Sequence, residues 1–147
     1  MSVAEIVIAE ARALARAKAP YRHRGRGPVG WDCLGVVLKA AWAAGLVPEY
    51  FDFTNYTENV ADYVLEQHLD ESGYLDRLSS WELAQPGDIL LQRFRKSLPA
   101  SHLIIISTIE RGGWWGVHAS RRGVVEQRIA HCERNVAAYR LKEVAHG

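Results

Sequence analysis

The sequence predicts one α+β domain spanning residues 1–147, with helices first and an antiparallel sheet after them. Three observations carry that prediction. Up to Asp70 the apolar residues recur at helical spacing, whereas beyond Pro86-Gly87-Asp88 they fall into short runs divided by glycine or polar breaks. Those breaks are too short for crossover helices, which favours an antiparallel meander. At 48% hydrophobic residues the chain also has enough apolar material for a single core, and no repeat, low-complexity tract or linker divides it.

Taken in order, Ser2 and Glu5 form a capping-box pattern. Val3, Val7, Ala11 and Leu14 then line one side of a helix that must stop before Pro20. Tyr21 to Gly30 reads as loop, with three glycines, a proline, three arginines and His23. Asp32 is a good N-cap for the next helix, whose only charge from Leu34 to Ala44 is Lys39 and which Gly45 stops. A helix apolar on nearly every face belongs in a core, and this one is too short to span a bilayer. Asn59 to Asp70 reads as a third helix, with Val60, Val64 and His68 on one stripe and Tyr63 beside it. Strands are expected at 88–94, 102–109, 114–120, 123–129 and 136–141, with the apolar run His102-Leu-Ile-Ile-Ile in the middle of the sheet.

Composition removes several function classes. Eighteen basic against seventeen acidic side chains leave a net charge of +1, so no bulk polyanion is indicated as a partner. Arg22, Arg24, Arg26 and the Arg93-Phe-Arg95-Lys96 group read as a solvated rim rather than a nucleic-acid surface. Two cysteines, Cys33 and Cys132, make no disulfide framework, and Cys132 beside His131 lacks metal-site spacing. No metal or cofactor is therefore expected. The charged residues Glu5, Glu10, Arg12 and Arg16 rule out a signal-peptide pattern, so synthesis in the cytoplasm is expected.

The chemistry concentrates on Cys33. Behind Asp32 it falls in the first helical turn, where unpaired amides and the helix dipole favour an anionic sulfur. A thiol nucleophile needs a base and a group to orient that base. His102 starts the expected central strand, and His118 lies in the next one. If the two oppose each other across a hairpin, its midpoint falls at residue 110, where Glu110-Arg-Gly-Gly can turn; both imidazoles would then face the helix bearing Cys33. By itself Cys33 would read as a small buried hydrophobe, and each histidine as a core or strand residue. Their order and pairing are what point to catalysis. His23, His68, His131 and His146 read as solvated or structural, and the five tryptophans as mostly core.

Several motifs then run together: Pro20-Tyr21, Gly30-x-Asp32-Cys33-Leu34-Gly35-Val36-Val37, Pro86-Gly87-Asp88-Ile89, Ser101-His102-Leu103-Ile104-Ile105 and Val117-His118-Ala119. Together they resemble the NlpC-type cell-wall peptidases, papain-like cysteine enzymes acting on peptidoglycan stem peptides. The Asp-Cys-Leu-Gly form, the Tyr21-Arg22-His23 loop and the Gly123-Val-Val-Glu126 strand resemble the branch found in tails of phages and gene transfer agents. The resemblance implies a papain-like fold with a buried central helix on a five- to six-stranded antiparallel sheet. It implies Cys33 as nucleophile, His102 as base, His118 as orienting group and Tyr21 as an oxyanion donor beside the Cys33 amide. Trp31, Asp32 and Ser101 would line the substrate. The implied reaction is hydrolysis of the amide between D-glutamate and diaminopimelate, in a tail component that meets a recipient's cell wall and contacts hub, baseplate or tail-tip proteins. The alternative is a structural tail-tip or baseplate subunit that keeps the fold with little activity. Residues 50 to 63, rich in Tyr50, Phe51, Phe53, Tyr56 and Tyr63, would suit docking. The chain departs from the family pattern at Leu34, where serine is common, in the longer spacing of its two histidines, and in the basic loop after Tyr21.

Overall fold

The computed structural model describes residues 1–52 and 65–143. Helix α1 (Val3–Arg16) opens on the expected capping box: the Ser2 hydroxyl accepts from the Glu5 amide and donates to the Glu5 carboxylate, each at 3.1 Å. Val7 and Ala11 bury its inner face. The stretch read as loop contains a small hairpin, β1 (Arg26–Gly27) and β2 (Gly30–Trp31). Two residues per strand are too few to leave a periodic signal. Helix α2 (Cys33–Ala43) begins at the Asp32 cap and ends, as expected, ahead of Gly45 at φ +70°. Lys39, its one charge, reaches Glu10 of α1 at 3.7 Å.

Helix α3 runs over Leu65–Glu71 among the described residues. The earlier part of the predicted 59–70 helix, with Val60, Tyr63 and Val64, lies outside them, as do Phe53, Tyr56 and His146. Strand β3 (Leu75–Arg77) follows, unforeseen in a short polar stretch, and then a 3-10 turn over Trp81–Leu83. Strands β4 (Ile89–Gln92), β5 (His102–Glu110), β6 (Gly113–Ser120) and β7 (Gly123–Ile129) form the expected meander. β8 (Asn135–Leu141) does not extend it. The chain crosses back to pair β8 with β4, and β3 closes that edge, giving an antiparallel order β3-β8-β4-β5-β6-β7. Burial explains the crossover. Ile89, Leu90 and Leu91 are wholly buried, so the backbone groups on the outer edge of β4 have no water to satisfy them and need a strand.

The sheet separates two apolar layers. Ile89, Leu91, Leu103, Ile105, Val117, Ala119 and Tyr139 pack with α1 and α2, while Leu90, Ile104, Ile106, Trp114, Ile129 and Ala138 pack on the other face. β5 therefore lies centrally, covered on both sides, as its continuous apolar run predicts. Among the described residues no helix is long and apolar enough to cross a membrane.

Candidate active site

The site begins with a cap. The Asp32 carboxylate accepts from the Gly35 amide at 2.8 Å, from the Arg24 amide at 3.0 Å and from the Arg26 guanidinium at 2.8 Å. Three donors on one buried carboxylate fix the first turn of α2 and hence the position of Cys33. Arg26 corrects the reading of the basic loop as a solvated rim. Its side chain is only 13% exposed and also pairs with Asp52 at 2.9 Å. The loop seats on the helix through glycines. A Cβ at Gly35 would stand 2.3 Å from the Gly25 carbonyl oxygen, a distance that no side chain tolerates.

α2 points its N-terminus at the margin of the sheet, where β5 begins. The Cys33 thiol lies 3.9 Å from the Ser101 carbonyl oxygen, one residue from His102. Across the hairpin, His102 Nε2 and His118 Nδ1 are hydrogen bonded at 2.7 Å with their rings edge to face. The two histidines that the sequence paired are thus together, at the end of the sheet where the thiol sits.

Their geometry differs from expectation in two ways. Glu110 pairs with Gly113, so Arg111-Gly112 is the turn, and a bulge between Ile106 and Thr108 shifts the register until Ile105 opposes Val117. One step further His118 opposes Ile104, which makes His102 its diagonal rather than direct neighbour. By the same alternation the two rings share the face of Ile104 and Ile106, not that of the body of α2. The thiol lies at the strand end instead, beside the Ser101 carbonyl.

The protonation of the site also departs from the sequence reading. Burial pushes the Cys33 thiol up to about 12, and the Asp32 carboxylate adds to the rise; the Leu103 and Leu34 amides and Arg26 pull the other way without offsetting it. Burial takes His102 down to about 3, His118 contributing, and burial lowers His118 as well. Desolvation therefore outweighs the helix-start effect, and the resting pair is an uncharged thiol and an uncharged imidazole. By contrast the Arg134 guanidinium, 3.4 Å from Cys132, lowers that partly exposed thiol. Iodoacetamide at pH 7.5 is accordingly expected to label Cys132 well before Cys33. Peptide mapping that finds Cys33 labelled first would contradict the uncharged site.

The same shifts give a pH dependence of stability. His102 stays neutral when folded down to about pH 3 but protonates near 6.5 once unfolded. Its contribution is present above pH 6.5 and is lost as pH falls toward 3. Cys33 acts in reverse: the unfolded thiol ionises near 9 and the folded one near 12, so stability is lost as pH rises through that window. A His102→Gln variant is expected to lose urea midpoint less steeply than wild type between pH 6.5 and 4. Equal slopes would contradict a buried neutral imidazole.

The other expected site residues fall into place unevenly. Trp31 is buried in the core, its backbone bridged to Tyr21 and bonded to Pro20 and Arg22, so it supports the site from beneath. Ser101 is likewise buried; its carbonyl receives the thiol, and its hydroxyl has no hydrogen-bond partner among the described residues. Tyr21 stands beside Trp31, two residues ahead of Cys33. Sequence reasoning missed Phe94, whose ring lies 5.8 Å from that of His102 although the side chain is 55% exposed. An aromatic inside a basic run was the available signal.

No family model matches the sequence, and no curated protein does. Solved structures do. A lipoprotein-like protein of the NLP/P60 family from Staphylococcus aureus superposes with a TM-score of 0.62 at 18% identity, over 97% of this chain and 42% of that one. The chain thus spans less than half the length of that protein. The P60 domain of an antigen from M. avium subspecies paratuberculosis gives 0.62 at 16% identity, over 97% and 96%. The NlpC/p60 domain of the peptidoglycan hydrolase SagA gives 0.53 at 21% identity, over 85% and 88%. These likenesses show the fold, an α+β papain-like arrangement of the NlpC/P60 type.

Proposed function

We propose that the protein is a cysteine peptidase that hydrolyses an amide bond of peptidoglycan stem peptides, the one between D-glutamate and diaminopimelate. The observation that carries this is the hydrogen-bonded His102–His118 pair at the strand start, with the Cys33 thiol 3.9 Å from the carbonyl oxygen of Ser101, the residue before His102. Fold likeness to a peptidoglycan hydrolase domain supports the substrate class. With Nε2 of His102 engaged by His118, Nδ1 is the nitrogen left for the thiol. As Cys33 sulfur bonds to the amide carbon, its proton passes to that Nδ1, and the imidazolium is shared with His118. The carbonyl oxygen takes the negative charge, with the Cys33 amide and the Tyr21 hydroxyl as its donors. His102 then returns the proton to the leaving amine, the C–N bond breaks, and water cleaves the thioester by the same base. Because both partners start uncharged, the proton moves within the attack rather than before it.

We also propose the setting: a component of a phage or gene-transfer-agent tail, bound to hub, baseplate or tail-tip proteins and acting at a recipient's wall. The sequence motifs support it. A second reading, a tail subunit with little activity outside the particle, is favoured by one observation, the uncharged resting pair. One experiment separates these. Purified wild-type protein and Cys33→Ala are incubated with muropeptides and the products weighed by mass spectrometry. New fragments from wild type alone support the peptidase and identify the bond. Intact muropeptides with both, each folded, would overturn the free enzyme and leave the assembly role.

A further inference from the structure

His118 Nε2 is buried and makes no hydrogen bond of ordinary geometry among the described residues, although the Gln127 side chain is near enough to act on the ring as a hydrogen-bond partner. A buried ring nitrogen that carries a proton needs an acceptor, and whether it carries one is decided by the reaction. For His102 Nδ1 to accept from the thiol, His102 Nε2 must hold the ring's proton and donate it to His118 Nδ1. His118 must then carry its own proton on Nε2. In the opposite tautomer His118 Nδ1 donates, His102 Nδ1 is already protonated, and the thiol has no base. The orphaned atom is therefore the one that must be an N–H for the pair to work.

One side chain is placed to receive it. On β7, Val125 opposes His118 and Gln127 opposes Gly116, so Gln127 is the diagonal neighbour of His118 on the same face, within reach of a long side chain. Opposite a glycine it meets no side chain across the strand pair. Its carboxamide has no other hydrogen bond among the described residues, and it favours the protonated form of His118. We infer that Gln127 is a positioning residue for the proposed reaction: its amide oxygen accepts from His118 Nε2–H and so holds both rings in the productive tautomers. The hydrogen-bond order is then Cys33, His102, His118, Gln127. This rests on the peptidase reading, so the test includes a readout that needs no substrate.

Long-range 15N–1H spectra of the imidazoles are recorded for wild type, Gln127→Leu and Gln127→Glu, alongside kcat and KM on muropeptides. Gln127 is surface-exposed, so the variants keep the fold. Wild type is expected to show the Nε2–H form of His118. Gln127→Leu is expected to show a mixture of tautomers and about a tenfold fall in kcat with KM unchanged, and Gln127→Glu, which keeps the acceptor, to regain both. An unchanged His118 tautomer in Gln127→Leu would overturn the inference whatever the activity. An altered tautomer in Gln127→Leu, with a wild type that cleaves nothing, would uphold it and count against the peptidase reading instead.

Discussion

A His102→Ala variant is expected to fold as wild type does and to lose about a thousandfold or more of kcat/KM on muropeptides. The size follows from the state of the site. With the Cys33 thiol pushed up to about 12, the fraction ionised at neutral pH is negligible, so the proposed nucleophile depends on a base that takes its proton as the bond forms. In the proposed reaction His102 is the base, at the strand end where the thiol lies, and its loss leaves none within the pair. His118→Asn should cost less than His118→Ala, because an amide can still accept from His102 Nε2 and hold the ring. Steady-state kinetics on the three variants check this. A His102→Ala enzyme within tenfold of wild type would mean that the proton goes elsewhere.

The second large effect is structural and reaches the site through backbone. Gly35→Ala is expected to destabilise the protein by about 2 kcal/mol. Alanine gains about 1 kcal/mol over glycine inside a helix, but overpacking against a fixed neighbour costs roughly 1–3 kcal/mol or more. Here the neighbour is the Gly25 carbonyl, 2.3 Å from the new Cβ, and the Arg26 guanidinium and Asp32 carboxylate both stand at 3.2 Å. The loop must lift, and the Arg26–Asp32 pair that caps α2 opens with it. The urea midpoint should fall, and Cys33, newly hydrated, should alkylate faster. A variant as stable as wild type would show that the loop moves without cost.

Much of this was legible in the chain because it is encoded locally. The Asp32 cap, the nearly all-apolar helix, the Gly45 stop and the alternating runs each write their structure into a few neighbouring residues. The pairing of His102 with His118 was legible from their order in adjacent strands, but their shared face was not: the two-residue turn alone would set them on opposite faces, and the bulge restores the common one. Three features were not legible. The return of β8 to β4 depends on which strand edge ends up buried, a property of the whole sheet. The diagonal offset of the histidines depends on a bulge at Ser107 that no residue type announces. Arg26 read as solvated because its partners, Asp32 and Asp52, come together only when the loop folds over the helix. Thiol protonation belongs with these, because placement at a helix start is local, whereas the depth of burial that overrides it is set by the surrounding layers.

Whether Cys33 carries the acyl group is read most directly by mass spectrometry of the protein itself, quenched in acid during incubation with muropeptides and digested with pepsin. A stem-peptide acyl group is expected on the peptide containing Cys33, none on that containing Cys132, and none anywhere in Cys33→Ala. Muropeptide cleavage with no adduct at Cys33, or cleavage that survives in Cys33→Ala, would contradict Cys33 as the nucleophile.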